Sequence, residues 1–292
     1  MLKFKTQQKV FEIGKVRVGG QPGENPTVLV GSIFYRGHKI VSDEKTGELK
    51  KEEAEKAISL QQEFSDKTGN PAMLDVVGST TMAMEKFIDF TAKATDAPFL
   101  VDSPSVEVKI AGVKHAKEVG LEKRIVYNSL MAESKPEEFD TLKESGIESA
   151  ILLAYKGAVM TSKSRVNTIK EILPRAEKIG ITKPLLDTFV LDIPSLSMAC
   201  RAAIDLKREL GLPSGCGAHN AFATWSGFKK LMGSEAAVPC AVTVNIVPIV
   251  LGADFILYGP VEDCKYVFPS VYAVNASYKY IYKLREQLEL PS

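Results

Sequence analysis

Five apolar or small-residue runs in this sequence end on a short polar side chain: MLD at Asp75, FLVD at Asp102, IVYN at Asn128, PLLD at Asp187 and CGAHN at Asn220. A carboxylate accepts hydrogen bonds, whereas a carboxamide both donates and accepts. Gathered at one mouth, three carboxylates and two carboxamides would suit a flat heterocycle with amide and amino groups along its edge, held in a water-poor cavity. Each residue also has a plainer use, because Asp and Asn cap the free N–H groups at helix starts. Asp75, followed closely by Ser79 and Thr80, fits capping best. Asp102, Asn128 and Asp187 stand directly on apolar strand ends, where a shared polar floor is expected.

Other chemistries are less well supplied. The three histidines, His38, His115 and His219, form neither an H-x-H nor an H-E-x-x-H arrangement, so no metal cage is expected. Cys216 and His219 lie three apart, but successive strand and loop positions align a nucleophile and its base poorly. Lys156 follows the AILLAY run and would form a Schiff base if desolvated, giving an aldolase-type lyase as a competing enzyme class.

The elements that would position these residues show as repeated punctuation. In KTGNPAMLDVV, EVGLEKRIVYN, ESGIESAILLA, KIGITKPLLDT and ELGLPSGCGAHN, charged residues lead to a glycine and then to an apolar or small-residue run. Glycine closes a helix in the left-handed conformation without a Cβ penalty, so Gly69, Gly120, Gly146, Gly180 and Gly211 are the expected helix stops. Pro98 marks a further stop, and Pro174 predicts a kink or a split in the helix that contains it. Strands are expected at 28–34, 72–77, 98–102, 124–128, 148–155, 184–190, 213–219 and 252–258. Eight strands alternating with helices predict one (β/α)8 barrel spanning 1–292, with chemistry at the carboxyl ends of its strands. Residues 1–27 form an N-terminal cover. The tail 263–290 is read as a helix, either the eighth of the barrel or, through its five tyrosines, a homodimer interface.

Composition bounds the partners. With 37 Lys+Arg against 36 Asp+Glu the net charge is +1, which leaves no surplus for a nucleic-acid footprint. Cys200, Cys216, Cys240 and Cys264 form no C-x-x-C pair and the start carries no export signal, so a reducing cytoplasm is expected. The apolar stretch 236–251 is too short and too interrupted to span a bilayer and reads as a buried segment.

The block GGQPGENPTVLVGSIFYRGHKIV, with SDKTGNP and APFLVDSP after it, resembles the H subunit of tetrahydromethanopterin S-methyltransferase and its soluble bacterial relatives. Among these it looks most like the methylcobalamin:tetrahydrofolate methyltransferases of glycine betaine breakdown. The strand-end set is similar, more distantly, to the pterin-binding barrel methyltransferases. That resemblance implies pterin-binding roles for Asp102, Asn128 and Asp187, with Asn220 beside the pterin N5 and Asp75 added to the binding set. Two departures from the distant relatives stand out: Thr188 where many have proline, and Cys-Gly-Ala-His before Asn220. The implied reaction moves a methyl group between methylcobalamin and N5 of tetrahydrofolate, giving 5-methyltetrahydrofolate, with Asp102, Asp187 and Asn220 serving catalysis. A tetrahydromethanopterin-specific component of a membrane methyltransferase complex is the alternative. The corrinoid-binding pattern D-x-H-x-x-G is missing around all three histidines, so a separate corrinoid protein is the implied partner.

Overall fold

The computed structural model describes residues 2–157 and 161–289. Eight parallel strands close into a barrel: β1 (Val28–Ile33), β2 (Ala72–Val77), β3 (Phe99–Asp102), β4 (Ile125–Leu130), β5 (Ser149–Leu153), β6 (Lys183–Asp187), β7 (Ser214–Cys216) and β8 (Phe255–Pro260). Each pairs with its sequence neighbour, and β8 returns to β1. Eight long helices accompany them: α1 (Lys51–Thr68), α2 (Thr81–Ala94), α3 (Val106–Glu118), α4 (Pro136–Ser145), α5 (Ser162–Lys178), α6 (Ile193–Leu210), α7 (Ala237–Val250) and α8 (Cys264–Leu284). The expected (β/α)8 barrel is the observed architecture.

The glycine punctuation works as read. Gly69, Gly146 and Gly211 end α1, α4 and α6 with φ of 69°, 74° and 64°. Gly211 has a second constraint, since a Cβ there would meet the Gln7 carbonyl oxygen at 2.1 Å. Pro174 does not split α5, which continues to Lys178. Pro174 has no N–H to offer the Lys170 carbonyl, but Lys170 stands on the exposed side of the helix, while Val166, Ile169, Ile172 and Ala176 hold the other side in the core.

Strands alternate their side chains between the barrel interior and the helix layer. Val30, Met73, Leu100, Val126, Ile151, Leu185 and Leu257 form an interior apolar layer, and the antiparallel hairpin Val10–Ile13/Val16–Gly19 inserts Ile13, Val16 and Val18 against it. The N-terminal cover is thus a plug for the amino end of the barrel, and the carboxyl end is left for a cavity.

The tail forms α8, which buries Val267, Phe268 and Val271 and leaves Tyr266, Tyr272 and Tyr280 exposed. The stretch read as buried is α7, of which only Val244, Asn245, Pro248 and Ile249 are buried; it is apolar all round but meets the barrel along one side. No helix among the described residues is long and apolar enough to cross a membrane.

One ion pair ties the amino end together. Lys207 of α6 donates to both oxygens of Asp254 at 2.6 and 2.7 Å and to the Gly20 carbonyl at 3.2 Å, while the Ser214 N–H donates to Asp254 at 2.9 Å. Removing one partner strands a buried charge, whereas replacing both by apolar groups does not. Lys207→Ala is therefore expected to lower the unfolding free energy in urea by about 3–5 kcal/mol, and Lys207→Met/Asp254→Leu to recover most of it. A loss below about 1 kcal/mol in the single variant would show that the pair does not hold this end.

Candidate active site

Two residues beyond the apolar layer, each strand presents its next inward side chain. Val30 is followed by Ser32, Met73 by Asp75, Leu100 by Asp102, Val126 by Asn128, Ile151 by Leu153, and Leu185 by Asp187. These six line a cavity of about 520 Å³ at the carboxyl end, a volume suited to a small organic ligand. Gly217 and Gly259 continue the lining on the β7 and β8 side, where His219 and Asn220 also face the cavity.

Asp75 is buried and accepts from Ser32 Oγ at 3.0 Å and Asn128 Nδ2 at 3.1 Å. It does not cap α2; Thr80 does, accepting from the Ala83 N–H at 3.1 Å. Asp75 is too early in the chain for that cap because β2 runs on to Val77. Committing Nδ2 of Asn128 to Asp75 leaves its Oδ1 as an acceptor toward the cavity. Asp187 Oδ1 accepts from the Phe189 N–H at 2.7 Å. This turn places Phe189 at φ 56°, a conformation that costs free energy in a bulky residue, and it ends β6 at Asp187 rather than at 190. Arg165 of α5 holds the turn from outside, donating to the carbonyls of Thr188 at 2.8 Å and Phe189 at 3.2 Å.

The carboxyl groups share a low-dielectric floor. Burial pushes Asp75 up to about 6 against the pull of its Asn128 and Ser32 hydrogen bonds. Asp187 rises to about 7, again through burial first, with the Phe189 and Gly217 N–H groups opposing. Asp102 is held well above the ordinary carboxylate range by burial and then by the charge of Asp75, while Lys109 opposes the rise. Lys109 is itself buried in α3, where it donates to the Ser129 carbonyl at 3.0 Å and lies 3.4 Å from Glu138.

Asn220 lies outside β7. That strand stops at Cys216, and Asn220 opens a short helical turn, Asn220–Ala223, whose first residue lines the cavity. Cys216 is buried with Cys200, Val190 and Val244 between β7 and the helices, not beside the His219 ring nitrogens, of which Nδ1 meets the Leu257 carbonyl oxygen at 2.9 Å. A Cys216–His219 catalytic pair is therefore not formed. The Schiff-base reading of Lys156 also fails, because its amine is exposed and ion-paired with Glu171 at 2.6 Å rather than desolvated. Ser32, Tyr35 and His219 line the cavity although the sequence pattern does not single them out for it. Ser32 is accessible through the two-residue period from Val28 and Val30; Tyr35 and His219 sit on turns, where no period operates.

The closed-barrel architecture is also found in dihydropteroate synthases. The Yersinia pestis dihydropteroate synthase with a pterine-sulfa conjugate matches with a TM-score of 0.65 at 12% identity, covering 92% of this chain and 98% of that one. The Thermus thermophilus enzyme matches with a TM-score of 0.59 at 13% identity, covering 92% and 100%. At such identities the likeness is one of fold. The family described as "Tetrahydromethanopterin S-methyltransferase MtrH subunit" matches residues 6–290, and the chain belongs to this methyltransferase family. The H subunits of tetrahydromethanopterin S-methyltransferase from Methanopyrus kandleri and Methanothermobacter thermautotrophicus are each 39% identical to it, covering 92% of this chain and 90% and 91% of theirs. The H subunit of a putative mtx methyltransferase from Methanosarcina mazei is 35% identical over 92% of this chain and 90% of its own.

The raised carboxyl groups give a pH-dependent stability. Asp187 titrates near 3.8 unfolded and near 7 folded, so the folded state keeps a proton that the unfolded chain has released between those values. Its contribution is complete below about pH 4 and is lost as pH rises through 7. Asp187→Asn retains an oxygen for the Phe189 N–H and removes the charge. It is expected to stabilise the protein at about pH 8 by on the order of 2–4 kcal/mol and to change little at about pH 4, as read by urea unfolding. Equal effects at both pH values would refute a carboxyl raised by burial.

Proposed function

We propose that this chain binds a reduced tetrahydropterin in the carboxyl-end cavity and serves methyl transfer between the pterin N5 and a methyl corrinoid carried by a separate protein. The observation that carries the reading is the acceptor-rich layer formed by Asp102, Asp187 and Asn128 Oδ1, with Asp75 beside them accepting from Asn128. A pterin edge offers ring N–H and amino donors, and a carboxylate or amide oxygen is their complement. Asp102 and Asp187, ionising as the pterin edge brings the donors they lack, would hold that edge and compensate positive charge developing on the ring as N5 gains a methyl group. Asn220 would stand by N5, where an amide can donate to a lone pair or accept from an N–H. The corrinoid supplies a methyl group that departs without its bonding electrons. The roles of this chain are to orient N5, exclude water below it and move a proton.

Tetrahydromethanopterin is the first choice of pterin, because relatives 39% identical over 92% of this chain carry it in their names. Tetrahydrofolate, expected from the N-terminal sequence block, is the second reading, since the inner residues address the ring edge common to both. The relatives are named as subunits, which supports a corrinoid-carrying partner chain at the mouth.

The test is titration of the isolated chain with each tetrahydropterin, followed by addition of methylcobalamin or its demethylated form. Binding of at least one pterin and a change in the corrinoid spectrum are expected. Asp102→Ala should weaken pterin binding by about ten- to hundredfold, the worth of a hydrogen bond to a charged group. Absence of pterin binding by the unmodified chain would overturn the proposal.

A further inference from the structure

His219 has no place in the reading above, yet its ring faces the same cavity. The ring is fixed by two features. Its Nδ1 lies 2.9 Å from the Leu257 carbonyl oxygen, which only accepts, so Nδ1 carries the hydrogen and Nε2 is left as a lone pair. Gly217 and Gly259 make the space: a Cβ on Gly259 would meet His219 Cβ, Cγ and Cδ2 at 3.2–3.4 Å, and one on Gly217 would approach Cε1 at 3.9 Å. The ring thus lies between the inward directions of two side-chain-free positions, and Nε2, between Cδ2 and Cε1, opens onto the cavity. No group among the described residues hydrogen-bonds to Nε2. The other titratable groups around the cavity are Asp75 from β2, Asp102 from β3, Asp187 from β6 and Tyr35 from the turn after β1. Cys216 is buried on the other face of β7.

From this geometry we infer that His219 is the catalytic base of the methyl transfer, taking the N5 proton of the tetrahydropterin at Nε2. The inference rests on the tetrahydropterin reading. In the step, the N5 lone pair forms the new N–C bond, and the bond from the methyl group to its corrinoid donor breaks with both electrons left on the donor. The N5–H proton moves to Nε2. The resulting imidazolium keeps its Nδ1–H on the Leu257 carbonyl, and the proton then passes to water at the mouth. In the opposite direction the same imidazolium protonates the methylated N5, which makes the nitrogen a leaving group. Burial lowers the His219 pKa from the ordinary 6.5, so the imidazole is neutral and able to accept at neutral pH.

The experiment compares the full chain with its His219→Gln and His219→Asn variants, each checked for folding by circular dichroism. Pterin affinity, the single-turnover methyl-transfer rate across pH and the imidazole NMR signals of wild type are measured. Histidine signals absent from the variants are assigned to His219. Pterin affinity within about threefold of wild type, a rate lowered at least about 100-fold and loss of the His219 step of the acid limb, below pH 6.5 and apart from any carboxyl step the variants keep, are expected. The assigned signal should titrate with that limb in the wild-type pterin complex. An unchanged rate, an acid-limb step surviving in both variants at the pH where the assigned signal titrates in wild type, or loss of pterin binding in both would each overturn the assignment, the last by making His219 a binding residue. Failure of wild type itself to bind any tetrahydropterin would instead remove the reading beneath it.

Discussion

Three carboxyl groups sharing one recessed floor set the terms for the rest of this structure. Like charges in a low-dielectric interior repel strongly, and a carboxylate that leaves water loses its hydration. The protein meets the cost locally with the Ser32 hydroxyl and the Asn128 amide on Asp75, with two N–H groups on Asp187, and with buried Lys109 near Asp102. None of these neutralises a carboxyl outright. What remains is Asp75 and Asp187 held close to neutral pH and Asp102 held well above the ordinary carboxylate range, so that small changes of surroundings move protons on or off the floor.

That floor exists because of the layer beneath it. Ile13, Val16 and Val18 seal the amino end, so the apolar interior excludes water below the carboxyl groups and fixes the depth at which a ligand stops. Support from the helix layer is equally directed. Arg165 grips the Thr188 and Phe189 carbonyls, and Lys109 grips the Ser129 carbonyl, so the exits of β6 and β4 are anchored from behind by cations that never enter the cavity.

Much of this is legible in the residues. Asp102, Asn128 and Asp187 are visible because each ends an apolar run, and a barrel turns that position into a cavity wall. Asp75 reads misleadingly as a cap because Ser79 and Thr80 are near in sequence; its parity with Met73 carries the truer signal. Strand ends expected at 155, 190 and 219 overshoot, since hydrophobicity continues where the backbone has already turned, as at Phe189. Lys109 and Arg165 are invisible, because a cation in a helix looks the same in sequence whether it reaches water or a buried carbonyl. The orientation of His219 depends on two glycines, one after β7 and one in β8, and on a carbonyl from β8, a convergence that no local pattern encodes.

The two ends of the barrel solve the problem of a buried aspartate differently, and the contrast argues for a ligand at one of them. Asp254 at the amino end receives both contacts of Lys207 and the Ser214 N–H, a nearly complete set of donors around a carboxylate that burial alone would raise. Asp102 at the carboxyl end receives a backbone N–H from Ser103 and only the field of Lys109. Had stability been the sole constraint, the upper carboxyl groups would have been paired as Asp254 is, or replaced by the leucine that β5 places at Leu153 in the same layer. Acceptors aimed inward from several strands, with an incomplete set of donors around them, are the imprint of a partner that brings its own.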